Sequence, residues 1–203
     1  MKMRLIDWRL AFPCLWKATS PQGGGDAAFS ASFLAPPSRM KVAKFVAKGE
    51  PYKPTTLDAV FNEVATEKWG AKAAATLKAL KAADKICLHN GDLKSDYEGF
   101  EGNMYISARS KVRPDARGPN KEEITEQDGL LLSGYYVDGV VDIWAQDNSF
   151  GKRINAQLKG VQFRRKGDVF AGGGSSASED DYDEIAVDDT DDTIDESEID
   201  IES

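Results

Sequence analysis

"YYVDGVVDIWAQDNSFGKRINAQLKGVQFRRKG", residues 135–167, alternates apolar and polar side chains through two runs separated by one turn. Val137, Val141 and Ile143 hold one parity in the first run, while Tyr136, Asp138, Asp142 and Trp144 hold the other. After "QDNSFGK" (146–152) the alternation resumes, with Ile154, Ala156 and Leu158 set against Asn155, Gln157 and Lys159. A period of two sends successive side chains to opposite faces of an extended chain, so the stretch predicts two half-buried strands joined as a hairpin. Gly160 sits where the parity changes, because Val161 and Phe163 resume the apolar set one register later. That predicts a bulge in the second strand.

Three more strands are legible upstream. In "NMYISARSK" (103–111), Met104, Ile106 and Ala108 face one way and Tyr105, Ser107, Arg109 and Lys111 the other. In "DAAFSASFLAPP" (26–37), Phe29, Ala31 and Phe33 alternate with serines until Pro36 and Pro37 stop the run. "MRLIDWRLAF" (3–12) reads as the first strand, joined to it through "SPQGGGD" (20–26). Between the second and third strands the period changes. Leu57, Val60, Phe61 and Val64 recur as one helix face, Gly70 interrupts, and an alanine-rich second helix follows over about 71–83. Five strands with a helical insert over about 55–83 predict a mainly β (α+β) domain over 1–171, an OB-fold-like five-stranded Greek-key barrel.

"GGGSSAS", residues 172–178, has the composition of a flexible linker. Beyond it the charge changes sign: residues 179–203 hold 14 of the chain's 34 acids and no base, leaving 1–178 with 20 acids against 26 bases. The overall charge of −8 therefore conceals a body of +6 and a tail of −14. Self-repulsion and few aliphatics predict a disordered acidic tail, with Asp188, Asp189, Asp191, Asp192, Asp195 and Glu196 as its densest stretch.

A body this long buries a core without staples, and the two cysteines, Cys14 and Cys87, read as reduced structural thiols. Charged residues at Lys2, Arg4, Asp7 and Arg9 break up any signal core, and no run has the length of a membrane span. The chain is expected to be soluble, without a membrane partner.

On the polar faces lie Tyr105, Tyr136 and Trp144, flat rings on which unpaired bases could stack. Around them the sequence supplies Arg109, Lys111, Arg113, Lys152, Arg153, Lys159, Arg164 and Arg165, cations suited to phosphates. The competing readings are that the rings cap a second apolar layer and that each basic cluster is a solvated turn. A metal-dependent nuclease would need converging carboxylates, with Asp138, Asp142 and Asp147 as candidates; Asp138 and Asp142 share a face but lie well over ~10 Å apart along a strand. Neither a nucleotide-binding loop, a nucleophile elbow nor a metal-ligand spacing around the single His89 is present, so no enzyme, cofactor or metal is expected. An acidic-tailed protein-interaction module would explain the tail but not the basic body.

"NMYISARSKVRPDA", "GLLLSGYYVDGVVDIWAQDNSFGKRINAQLKGVQFRRKGDVFAGG", "FSASFLAPP" and "EKWGAKA" resemble a family of phage-encoded single-stranded DNA-binding proteins with an OB-type domain. The resemblance implies a protein that coats single-stranded DNA without sequence specificity during replication or recombination, in the cytoplasm of an infected bacterial host. The charge division adds its own expectations: the tail competes with DNA for the basic groove and recruits basic replication or recombination proteins, and duplex binding gains more than single-strand binding when the tail is absent. The acidic tail is similar in plan to those of other single-stranded DNA-binding proteins, which commonly finish in an aromatic residue; this chain finishes "IDIES". Whether it forms a homodimer stays open.

Overall fold

The structure, a computed structural model, describes residues 1–20 and 24–170. The expectations for the linker and the acidic tail lie outside the described residues. In chain order the elements are β1 (Lys2–Thr19), β2 (Ala28–Ala35), β3 (Val42–Lys44), β4 (Lys53–Thr55), α1 (Leu57–Trp69), α2 (Ala73–Ala82), β5 (Leu88–Asn90), β6 (Met104–Ser110), β7 (Asp115–Arg117), β8 (Tyr136–Asn148) and β9 (Gly151–Arg165).

Five of these strands close on themselves. β1 pairs with β2 and β2 with β6, both antiparallel; β6 meets β9 in parallel at Arg109 and Gln157; β9 pairs with β8, and β8 returns to β1. This is the expected five-stranded barrel, and closure removes the exposed edges that an open sheet would present. β3 and β4 extend the sheet from β1, β5 lies against β6 and β7 against β9, four short additions that alternation over three residues is too brief to reveal.

The apolar parity read from the sequence is the barrel interior. Leu5, Trp8, Leu10, Phe33, Ile106, Val137, Val141, Ile143, Ile154 and Leu158 are buried in one cluster, and Val60, Phe61 and Val64 of α1 with Leu77 and Leu80 of α2 belong to the same cluster. Each fully buried large side chain contributes roughly 1.5–3 kcal/mol relative to exposure. The Thr56 hydroxyl caps α1 by accepting from the Ala59 N–H at 3.2 Å. Gly70 then turns the chain at φ 52°, a conformation that favours glycine, before α2 begins.

The long hairpin bends where the parity changed. Val140 faces Gly160 but Val141 faces Leu158, so Lys159 is the extra residue of a bulge; Arg164 is extra in a second one, between Phe163 and Arg165. Gly139 is required for a packing reason, since a Cβ there would stand 2.6 Å from the Phe33 ring. β1 also departs from strict alternation: its register jumps between Leu5 and Trp8 and again after Ala11, with positive φ at Asp7 (62°) and Phe12 (48°).

Candidate nucleic-acid interface

Across β8, β9 and β6 the polar parity lines a groove of about 900 Å³. Trp144 stands at one side of it, paired in register with Asn155, and Arg109 stands across from it, in register with Gln157. Lys85, Arg109, Lys111 and Arg153 line the groove, and no carboxylate does. Trp144 is 44 % exposed, enough to present an indole face to a ligand. Asn155 donates to the Gln146 side chain at 3.1 Å, which fixes two amides beside the indole. Among the described residues Lys85, Arg109 and Arg153 form no ion pair with a carboxylate. Lys111 does, with Asp26 at 2.6 Å, and that hydrogen bond holds the Asp26 carboxyl below the usual carboxylate range. The Cys87 thiol also lines the groove, but burial pushes it up to about 12, so it supplies no thiolate near neutral pH.

The groove continues around the barrel. Ser107 and Arg109 also line a smaller hollow with Ser30, Ser32, Thr19 and Phe12. Phe12 is 43 % exposed and meets Tyr97, 52 % exposed, edge to face at 5.1 Å between ring centroids. At the tip of the β8–β9 hairpin Phe150 is 88 % exposed. Sequence reasoning missed all three rings and Lys85. Phe12 falls on the inward parity counted from Leu10 and reaches the surface because the backbone breaks parity there; Tyr97 and Phe150 lie in loops, where period carries no information. For Lys85 a signal existed, a cation directly after the second helix.

Several expected site residues are corrected by the structure. Tyr105 has outward parity but is only 6 % exposed: Phe100, 5.1 Å away edge to face, and His89, 5.0 Å away, cover its ring. It belongs to a second apolar cluster with Ala11, Leu34, Phe100 and Phe170, and burial raises its hydroxyl's pKa. Tyr136 shares a parity with Trp144 but not a site. Eight residues along a strand separate them by about 26 Å, and the Arg165 guanidinium lies 3.3 Å from the Tyr136 ring centroid. The single stacking face expected from Tyr105, Tyr136 and Trp144 is therefore reduced to Trp144.

The basic residues divide in the same way. Arg164 clamps Asp138 with two hydrogen bonds of 2.8 and 3.0 Å, and that contact raises the Arg164 pKa. Asp138, 2 % exposed, also takes Arg4 at 2.9 Å and the Asp7 N–H at 2.9 Å. Arg165 makes a fork on Asp7 at 3.2 and 3.1 Å, which raises its pKa too. Arg164 and Arg165 thus tie the barrel wall together, so the two guanidinium groups expected to meet phosphates are already engaged by Asp138 and Asp7. Lys152 sits by Asp147 at 3.5 Å and over the Trp69 ring at 5.8 Å, Arg113 lies over Trp16 at 5.3 Å, and Lys159 is exposed on the bulge; none of the three lines the groove. The six acidic residues named in the tail lie outside the described residues.

The carboxylates of the nuclease alternative do not converge. Asp138 is engaged as above, Asp142 meets the N-terminal ammonium at 2.6 Å, and Asp147 accepts from the Trp69 indole N–H at 2.9 Å. Among the described residues no three His, Cys, Asp or Glu side chains form a metal-binding group. Among those residues, too, no helix is long and apolar enough to cross a membrane.

The chain is 37 % identical over 189 residues to the p50 protein of Acyrthosiphon pisum secondary endosymbiont phage 1, covering 92 % of this chain and 95 % of that protein. Among solved structures it is similar to the single-stranded DNA-binding protein of bacteriophage Enc34 in complex with single-stranded DNA, at a TM-score of 0.63 and 25 % identity over 84 % of this chain and 89 % of that one. A second structure of the Enc34 protein gives 0.56 and 25 % over 86 % and 87 %. Residues 1–194 match the profile of the Enterobacter phage Enc34 ssDNA-binding protein family, and the chain belongs to that family.

Proposed function

We propose that this protein binds single-stranded DNA with little regard to sequence, and does so without catalysis, during phage replication or recombination in the cytoplasm of an infected bacterium. The observation that carries the reading is the groove itself: an exposed indole, four cations and no carboxylate lining one hollow on the side of a closed barrel. Every base has a face that can stack on Trp144, and cations that contact phosphates carry no base information. Phe12, Tyr97 and Phe150 offer further rings along the band. The acidic segment 179–203 competes with DNA for the basic body and recruits basic replication or recombination proteins; duplex DNA, held mainly through phosphates, binds more weakly while that segment is present.

Titration of the full chain with oligo-dT and with mixed-sequence oligonucleotides, read by tryptophan fluorescence over a salt series, tests this. The expected result is quenching, similar affinities for both, and a log-log salt slope of roughly −3 to −4, the value for about four to six neutralised phosphates. Fluorescence silent to DNA, or affinity insensitive to salt, refutes it. Labelled DNA incubated with Mg²⁺ should be shifted but not cut.

A further inference from the structure

A second cleft, of about 550 Å³, opens at the other end of the barrel and shares no lining residue with the groove. Its walls carry Arg9, Arg39, Lys41 and Arg165 against one carboxylate, Asp7, which Arg165 already holds. Arg39 and Lys41 are exposed, and among the described residues neither forms an ion pair with a carboxylate. The Arg9 guanidinium donates only to carbonyl oxygens, of Gly134 at 3.0 Å and Asp168 at 2.7 Å.

The cleft offers little to a base. Its one ring, Tyr136, has Arg165 on it at 3.3 Å and Arg9 at 5.6 Å. What it offers is a set of guanidinium and ammonium donors suited to carboxylates. Phe170, the last described residue, lies beside it, since Arg9 stacks on its ring at 4.2 Å from the centroid. Eight residues, and so nine Cα–Cα steps, separate Phe170 from Glu179, the first acid of the acidic segment. At no more than ~3.6 Å per step they let that acid reach any point within about 32 Å, a span that takes in the cleft whose Arg9 stacks on Phe170. Proximity to the exit favours it over the groove, because effective concentration falls as the span to be bridged grows.

We infer that this cleft is the seat of the chain's own acidic segment, residues 179–203, bound through carboxylates to Arg9, Arg39 and Lys41. The inference rests on the reading that the segment acts on the basic body, and it adds a place apart from the DNA groove. DNA and the seated segment then occupy one molecule together, so the competition between them for the positive body acts through the segment's field rather than through occupation of the groove.

Zero-length carbodiimide coupling of the full-length protein at low salt, with peptide mapping of the monomeric product, tests the seat. Lys41 should be the dominant lysine joined to acids of 179–203, several-fold above Lys111 and Lys72. At least half of that coupling should persist with saturating oligo-dT, and Arg39→Ala should lower it several-fold while leaving the Lys41 amine in place. Coupling centred on Lys111 or Lys152, coupling abolished by oligo-dT, even coupling over all surface lysines, or products that are only dimeric would each overturn the proposal. Tryptophan quenching in the same samples separates the two readings. DNA binding without Lys41 coupling removes the seat alone, and Lys41 coupling without quenching removes the DNA reading alone.

Discussion

Replacing Trp144 by alanine separates stacking from folding. The indole is 44 % exposed, whereas Trp8 is fully buried and donates its ring N–H to the Lys41 carbonyl at 3.0 Å. A fully buried aromatic covers about 150–250 Å², so the buried part of Trp144 amounts to about 80–140 Å², or ~2–3.5 kcal/mol at 25 cal/mol per Å² as an upper bound. A domain with about 5–15 kcal/mol of stability survives that loss. The lost stacking amounts to about 1–3 kcal/mol of binding, a weakening of about 5- to 150-fold.

The assay is fluorescence anisotropy of labelled oligo-dT, with a thermal melt followed by circular dichroism on the same preparations. Trp144→Ala should melt cooperatively, bind more weakly by that factor and keep the wild-type salt slope, because stacking releases no counterions. Trp144→Phe, which retains a ring, should recover much of the affinity. If the alanine variant binds within twofold of wild type, or if phenylalanine restores nothing in a protein that is still folded, Trp144 is not a stacking platform and the groove is misassigned.

Arg109→Ala and Arg153→Ala should weaken oligo-dT and oligo-dA equally and make the salt slope shallower by about 0.7 each, as measured by the same anisotropy series. Arg164→Ala should instead lower stability by about 1–3 kcal/mol in denaturant unfolding, because it strips two hydrogen bonds from buried Asp138 while Arg4 remains; a fully stable variant with lost DNA affinity would return Arg164 to the binding surface. Removing 179–203 takes the chain from −8 to +6 and should raise DNA affinity most at low salt, duplex more than single strand; equal affinities of the two forms at low salt would leave the segment without an inhibitory role. Cys87, its thiol pushed up to about 12 by burial, should react with an aromatic disulfide reagent at pH 8 only upon unfolding, read as thiolate release at 412 nm on the order of one thiol equivalent later than Cys14.

The barrel was legible because its strands are long. Thirteen residues of β8 and fifteen of β9 repeat the same parity many times, and a single bulge at Lys159 left its mark as a shift of the apolar set. β1 was legible only as a strand. Its parity resets at Asp7 and Phe12, where non-glycine residues adopt positive φ with no glycine in the sequence to announce it, so the outward position of Phe12 could not be derived. Tyr105 shows a different limit. Parity gives the direction of a side chain from its own strand, but Phe100 from the preceding loop and His89 from β5 arrive to cover it.

The basic residues show why counting charge along a sequence overstates a binding surface. Nothing in "FRRKG" distinguishes Arg164 and Arg165 from Arg153 in "FGKR", yet the first two end on Asp138 and Asp7, partners about 26 and 158 positions away in the chain, while Arg153 stays open in the groove. An arginine bound in a fork to a buried carboxylate is a dipole at any distance larger than the pair itself, and a phosphate gains little from it unless the pair is first broken. Available charge is thus set by pairing, which the fold decides. By that measure the groove is Lys85, Arg109 and Arg153 around Trp144, with Lys111 shared with Asp26 at its rim. The opposite end of the barrel keeps Arg39 and Lys41 open in the cleft they share with Arg9, which stacks on Phe170. One long hairpin, with its bulges at Lys159 and Arg164, carries Trp144 at the groove and Tyr136 and Arg165 at the cleft, so the two cationic surfaces are separated by about 26 Å of strand.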